Sequence, residues 1–165
     1  MKLYTAQELY KQLSESDECV WIEAKGESDS AQSLMESVCS FSNEPGLGGG
    51  YILLGIGEDT KALDNRFWIE GVENPDKAQL DISTRCASMF NLSVRPRIDV
   101  EKLDGKNVLK IFVPELPSQQ KPLYFKSVGL PQGAWRRIGS SDQRCTEEDL
   151  YAFYQDNTSF DSSVV

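Results

Sequence analysis

The 165-residue chain has no histidine and no long apolar run. The absence of histidine excludes Ser-His-Asp and Cys-His nucleophilic catalysis, imidazole general bases and the usual zinc ligands. No apolar run approaches the roughly 18–20 residues that a bilayer-spanning helix needs, and the amino terminus lacks an apolar signal segment. We therefore expect a cytoplasmic protein without a membrane partner.

The cysteines are widely spaced along the chain and form no recognisable motif. The four cysteines are Cys19, Cys39, Cys86 and Cys145. They form neither a CxxC pair nor a disulfide framework, so we expect buried free thiols. Any catalysis would have to use carboxylates, Lys, Arg, Tyr or a bound metal.

The chain has fewer basic than acidic residues, but its basic residues are concentrated in one segment. The net charge is −9. Residues 1–81 contribute −10, residues 82–144 contribute +6, and residues 145–165 contribute −5. We call residues 82–144 the basic segment. Phosphate affinity comes largely from Lys and Arg, so this segment is where a nucleic-acid interface is expected.

Helical and strand patterns both occur, which predicts an α+β fold with a mixed β-sheet flanked by helices. Thr5 to Glu8 form a capping box before a helix, and Asn74-Pro75 begin another. Tyr51 to Ile56 are continuously apolar, as in a strand at the centre of a sheet. Asp104-Gly105 suit a tight hairpin turn. We expect one domain over residues 1–154, followed by an acidic, disordered tail over 155–165.

Further strands are predicted on either side of these elements. Val20 to Lys25 begin to alternate, which places Glu23 and Lys25 on one face. Leu123 to Phe125 and Ala134 to Ile138 are two later short strands. The glycines between Pro45 and Gly50 could bind an anion through backbone N–H groups, but no Gly-Lys-Ser/Thr follows, so a helix stop is the favoured interpretation.

Five pieces of the sequence, in order, resemble the Schlafen/AlbA-like domain family. They are Glu23-Ala24-Lys25, Phe41-Ser42-Asn43, Gly48 to Ile56, Lys121 to Tyr124, and Trp135 to Ser141. The resemblance implies a DNA-binding module of the kind found in transcriptional regulators and helicase-related proteins.

A subset of that family cleaves structured RNA with Mg²⁺ or Mn²⁺, so a metal-dependent endoribonuclease is the alternative function. The resemblance implies catalytic and metal-binding roles for Glu18, Glu23 and either Glu58 or Asp59, of which we choose Asp59, with Lys25 beside them. The family's acidic residue directly after Gly-(Val/Ile) is replaced by Gly57 here, and the acids come later. Converging carboxylates can hold such an ion, which activates water.

Aromatic residues are interleaved with cations in the basic segment, a pattern that suits stacking on bases and pairing with phosphates. The candidate nucleic-acid contacts are Arg95, Arg97, Lys121, Tyr124, Lys126, Trp135, Arg136 and Arg137. Ordinary strand alternation would give the same pattern. We predict that these cations gather on one exposed surface that binds DNA or RNA without a cofactor. A protein-interaction module and a homo-oligomer stay open as alternatives.

Overall fold

The computed structural model describes residues 3–16, 19–64 and 66–164, with side chains as far as residue 155. The helices are α1 (Ala6–Glu15), α2 (Ala31–Asn43), α3 (Pro75–Ser88) and α4 (Glu147–Val164), with a 3-10 turn at Ser118–Gln120. The strands are β1 (Ile22–Lys25), β2 (Gly50–Leu54), β3 (Ile56–Glu58), β4 (Phe67–Ile69), β5 (Arg97–Leu103), β6 (Lys106–Val113), β7 (Trp135–Ile138) and β8 (Ser141–Arg144). The predicted α+β class is confirmed.

The main sheet has the strand order β1-β2-β6-β5. β1 runs parallel to β2, and the other two pairs are antiparallel, so the sheet is mixed. Ile52 and Leu54 of β2 face a core formed with α2 and α3, whereas Tyr51 and Leu53 face a second core formed with α1. Helices therefore cover both faces of the sheet, and the predicted central position of β2 is confirmed.

The structure confirms the two helix caps and the tight turn that the sequence predicts. Thr5 and Glu8 form the reciprocal capping box of α1, and the Asn74 side chain caps α3. Asp104 and Gly105 have φ values of 50° and 75°, the left-handed backbone that a tight turn between β5 and β6 requires.

Two strand predictions are wrong, each for an identifiable reason. The predicted strand from Tyr51 to Ile56 breaks at Gly55, whose φ of 109° turns the chain so that β3 pairs with β4 in a separate sheet. The predicted strand at Leu123 to Phe125 forms only isolated bridges. The backbone N–H and C=O of Leu123 bind the Asn43 side chain instead of a neighbouring strand.

Among the described residues, none of the helices combines the length and apolar composition that crossing a bilayer would require. The predicted boundary at residue 154 and the predicted disordered tail stay predictions.

Candidate functional site

Arg137 of β7 lies at the centre of a buried ionic cluster. Its side chain is 1% exposed, and its Nη1 atom lies 2.6 Å from Glu23 Oε2 and 3.0 Å from Asp142 Oδ1. The guanidinium also donates to two backbone carbonyls just before β1. It lies over the Phe41 ring, 4.9 Å from the centroid. The cluster thus joins β1, α2, β7 and β8 around one charge.

Glu23 and Lys25 lie on the same face of β1, as their alternation predicts. Lys25 Nζ is 3.8 Å from Glu23 Oε1 and donates to Ser33 Oγ at 2.7 Å. Burial raises the pKa of Glu23, although Arg137 and Lys25 act to lower it. The Glu23 carboxylate is therefore held among cations in a partly desolvated site.

A cavity of about 220 Å³ opens beside this cluster, and Glu23 and Glu58 both line it. Glu58 comes from β3 and accepts a hydrogen bond from Arg66 at 2.7 Å. Asp59 is not part of the lining, and its exposed carboxylate accepts from the backbone N–H of Lys61 at 3.0 Å. Of the two alternatives for a third acid, Glu58 and not Asp59 therefore lines the same cavity as Glu23. Glu18 lies outside the described residues.

The cavity meets some of the requirements for binding a hard cation such as Mg²⁺. Within the described ranges, no three Asp, Glu, His or Cys side chains are placed to hold a metal ion. Mg²⁺ is nevertheless often held by only one or two carboxylates together with waters and substrate phosphates. Glu23 and Glu58 are oxygen donors of the right type, and Arg137 and Arg66 already compensate their charges.

Asn43, at the end of α2, joins three of the five sequence pieces that carry the family resemblance. It is fully buried. Its Oδ1 atom accepts from the N–H of Leu123 at 2.7 Å, and its Nδ2 atom donates to the carbonyls of Leu123 and Trp135 at 2.9 and 3.0 Å. These hydrogen bonds fix the three pieces relative to one another. This part of the family signature therefore serves mainly to specify the fold.

Lys121 is buried, with 4% of its side chain exposed, and its Nζ atom lies 2.6 Å from Glu115 Oε2. The Glu115 carboxylate also accepts from the N–H groups of Gly46 and Gly48. Burial acts to raise the pKa of Glu115, but these hydrogen bonds hold it below its usual value. The glycine loop thus binds an anion through its backbone, and that anion belongs to the chain itself.

Arg136 and Arg97 are also paired within the chain. Arg136 binds Glu44 at 2.9 Å and Asp149 at 2.7 Å, and these hydrogen bonds raise the pKa of its guanidinium further. Arg97 lies 3.1 Å from Asp99 on the edge strand β5.

The expectation that the predicted cations gather on one exposed surface is wrong for Lys121 and Arg137, which are buried. The sequence showed their charge but not their partners. Arg95 and Lys126 are exposed, as expected. The phosphate contacts assigned to all of these residues stay predictions.

The two aromatic candidates are both half-buried. Tyr124 packs against a small core of Ala134, Cys145 and Phe153. Trp135 pairs with Arg144 across the β7–β8 ladder, and the Arg144 guanidinium lies 5.3 Å from the centroid of the indole ring. Sequence analysis missed Arg144 because the segment Ser-Asp-Gln-Arg has no apolar alternation to reveal β8.

Comparison with known proteins agrees with this architecture. A family model described as Schlafen, AlbA_2 matches residues 18–146. The N-terminal domain of a RecG-related protein from Nitrosomonas europaea is 46% identical, with a TM-score of 0.72 over 87% of this chain and 95% of that one. The DIP2311 protein from Corynebacterium diphtheriae is 18% identical, with a TM-score of 0.52 over 80% of this chain and 23% of that one, a likeness of fold alone. No curated protein matches the chain.

Proposed function

The chain belongs to the Schlafen AlbA_2 family, and from this membership we propose that it is a nucleic-acid-binding module that works within a helicase-related or transcription-regulating protein. The relative from Nitrosomonas europaea supports this choice, since it is described as related to the ATP-dependent DNA helicase RecG. Phosphate contacts carry no sequence information directly, so the proposal includes no sequence specificity.

The observation that carries the proposal is the stacked pair of Trp135 and Arg144. Arg144 is exposed, and no carboxylate pairs with it within the described residues. An arginine held over an indole is oriented before binding, so it can meet a phosphate while the exposed part of the ring meets a base.

Other cations of the basic segment can add phosphate contacts. Those without a carboxylate partner in the part of the chain that the structure describes are Arg95, Lys102, Lys106, Lys126 and Arg144. These five cations explain how a protein with a net negative charge can bind phosphate. The other cations of the basic segment are paired with carboxylates of the chain, whereas these five stay available to a ligand.

Arg144→Glu is expected to weaken binding of labelled single-stranded DNA and of tRNA by about tenfold and to lower the salt slope by about one, because one phosphate contact is lost. Fluorescence anisotropy at about 50 and 200 mM salt measures both quantities. Lys11→Glu on α1 is the matched control, since it makes the same change in net charge at another exposed cation.

Equal affinity of Arg144→Glu and the wild type would contradict the assigned surface. Negligible binding by the wild type even at low salt would reject the proposed function and favour the protein-interaction alternative.

A second candidate function, metal-dependent cleavage of RNA, is favoured by one observation: Glu23 and Glu58 line the same cavity. These two residues would hold Mg²⁺ or Mn²⁺, which when bound activates water and stabilises charge on phosphate. Lys25 sits beside Glu23 as a further point charge. Glu18 stays a prediction for this role. Asp59, the third acid chosen from the sequence, does not line the cavity, so the proposal takes Glu58 in its place.

If the cavity cleaves RNA, Glu58→Gln should lower metal-dependent cleavage of labelled tRNA by at least about 100-fold, since loss of even an outer-shell partner of a metal costs about 10- to 100-fold. Asp59→Asn should leave the rate near that of the wild type. Incubation with Mg²⁺, Mn²⁺ or EDTA measures this on a denaturing gel, and Glu23→Gln serves as a second test of the cavity. Binding without cleavage under every metal condition would reject the nuclease and keep the binding module.

A further inference from the structure

A cleft of about 650 Å³ lies between the first turn of α2 and the face of α3 that runs from Lys77 to Arg85, and Leu54 at the end of β2 also lines it. Its floor is apolar and consists of Leu34, Met35, Leu54, Val72, Ala78 and Ile82. This volume falls within the range of about 300–1,000 Å³ that is typical of small-molecule sites. The cleft is thus large enough for a ring system and offers it an apolar contact surface.

The rim of the cleft is acidic. Its carboxylates come from Glu27, Asp29, Glu73 and Asp81, and its cations are Lys77 and Arg85. Arg85 is already paired with Asp81 at 3.0 Å. Three carboxylates therefore face a single remaining lysine.

Glu73 is the carboxylate most available to a ligand. Glu27 accepts from the backbone N–H of Glu73, and Asp29 accepts from the N–H of Gly26. The exposed side chain of Glu73 makes no hydrogen bond or ion pair to the parts of the chain that are described. It can pair with a cation without giving up an existing contact.

We propose that this cleft binds a small organic cation, an amine or guanidinium attached to a compact apolar body. The apolar body would lie on the floor and the charged group would meet Glu73 at the rim. The acidic rim disfavours phosphate, so this ligand is distinct from the proposed nucleic acid. The cleft also shares no residue with the Glu23 and Glu58 cavity or with the Trp135 and Arg144 pair.

Three indoles that differ in charge test the proposal. Titration of the isotope-labelled protein with tryptamine, up to about 5 mM, should give saturable amide shifts in α2 and α3. Tryptophol, which is neutral, should bind more weakly, and indole-3-acetate should bind at least about tenfold more weakly than tryptamine. Equal binding of all three, preference for indole-3-acetate, or no saturation by tryptamine would overturn the proposal.

Variants locate the site and separate it from the nucleic-acid surface. Ala78→Phe should fill the cleft and reduce tryptamine affinity by about tenfold or more, whereas Ala87→Phe, an exposed position on the same helix, should not. Glu73→Gln should reduce affinity about two- to fivefold, as for one exposed ion pair, and Glu148→Gln should not. Unchanged affinity in Ala78→Phe would place the ligand elsewhere and reject the cleft. Nucleic-acid affinity should be the same as in the wild type in Ala78→Phe, Glu73→Gln and Glu148→Gln.

Discussion

Replacing Arg137 with methionine is expected to lower the free energy of unfolding by about 3–5 kcal/mol. The substitution would leave Glu23 and Asp142 in a largely buried site without the cation that lies 2.6 and 3.0 Å from them. Two backbone carbonyls would also lose their donor. Urea denaturation followed by tryptophan fluorescence and by circular dichroism measures the loss.

Arg85→Met is the matched control for this experiment. The Arg85–Asp81 pair is an exposed i, i+4 pair on α3, so its loss should cost no more than about 0.5 kcal/mol. Arg137→Lys keeps the charge but not the planar guanidinium with its several N–H donors. We therefore expect its loss of unfolding free energy to lie between the losses in Arg85→Met and Arg137→Met. This conservative variant still gives a measurement if the methionine variant does not fold. Wild-type stability in both Arg137 variants would disprove the structural role of the cluster.

Asn43→Leu should lower the free energy of unfolding by about 2–4 kcal/mol, because leucine has the same branched arrangement of heavy atoms as asparagine but makes none of its hydrogen bonds. The N–H of Leu123 and the carbonyls of Leu123 and Trp135 would lose this buried partner. The same denaturation experiment measures the effect.

Asn91→Leu is a close control, since the exposed Asn91 also accepts a hydrogen bond from a backbone N–H, that of Tyr124 at 2.8 Å. Water can replace this partner, so the expected loss is below about 1 kcal/mol. Equal losses of unfolding free energy in Asn43→Leu and Asn91→Leu would show that burial does not make the hydrogen bonds of Asn43 more stabilising.

The predictions for Arg137 and Asn43 both test whether the sequence signature of the family specifies the fold. Among the residues of the pieces that resemble the family, Arg137 contacts Glu23 and Phe41, and Asn43 contacts Leu123. Much of the signature therefore encodes the fold. Of the residues proposed to meet a ligand, Arg144, Glu58 and Glu73 lie outside those pieces, whereas Trp135 and Glu23 lie within them.

By itself, the sequence determined the features that depend on neighbours along the chain. The capping box of α1, the Asn74 cap of α3, the turn at Asp104-Gly105 and the burial of β2 were all predicted correctly, because short-range hydrogen bonds and periodicity specify them. The order of its motifs was also enough to indicate the family.

Only the tertiary structure decided which charges are available to a ligand. Arg137 and Arg144 look alike in the sequence, yet one is enclosed by acids that include Glu23, 114 residues away, and the other lies open over Trp135. Whether a charge is neutralised depends on distances in space and on burial, and the folded chain alone sets both.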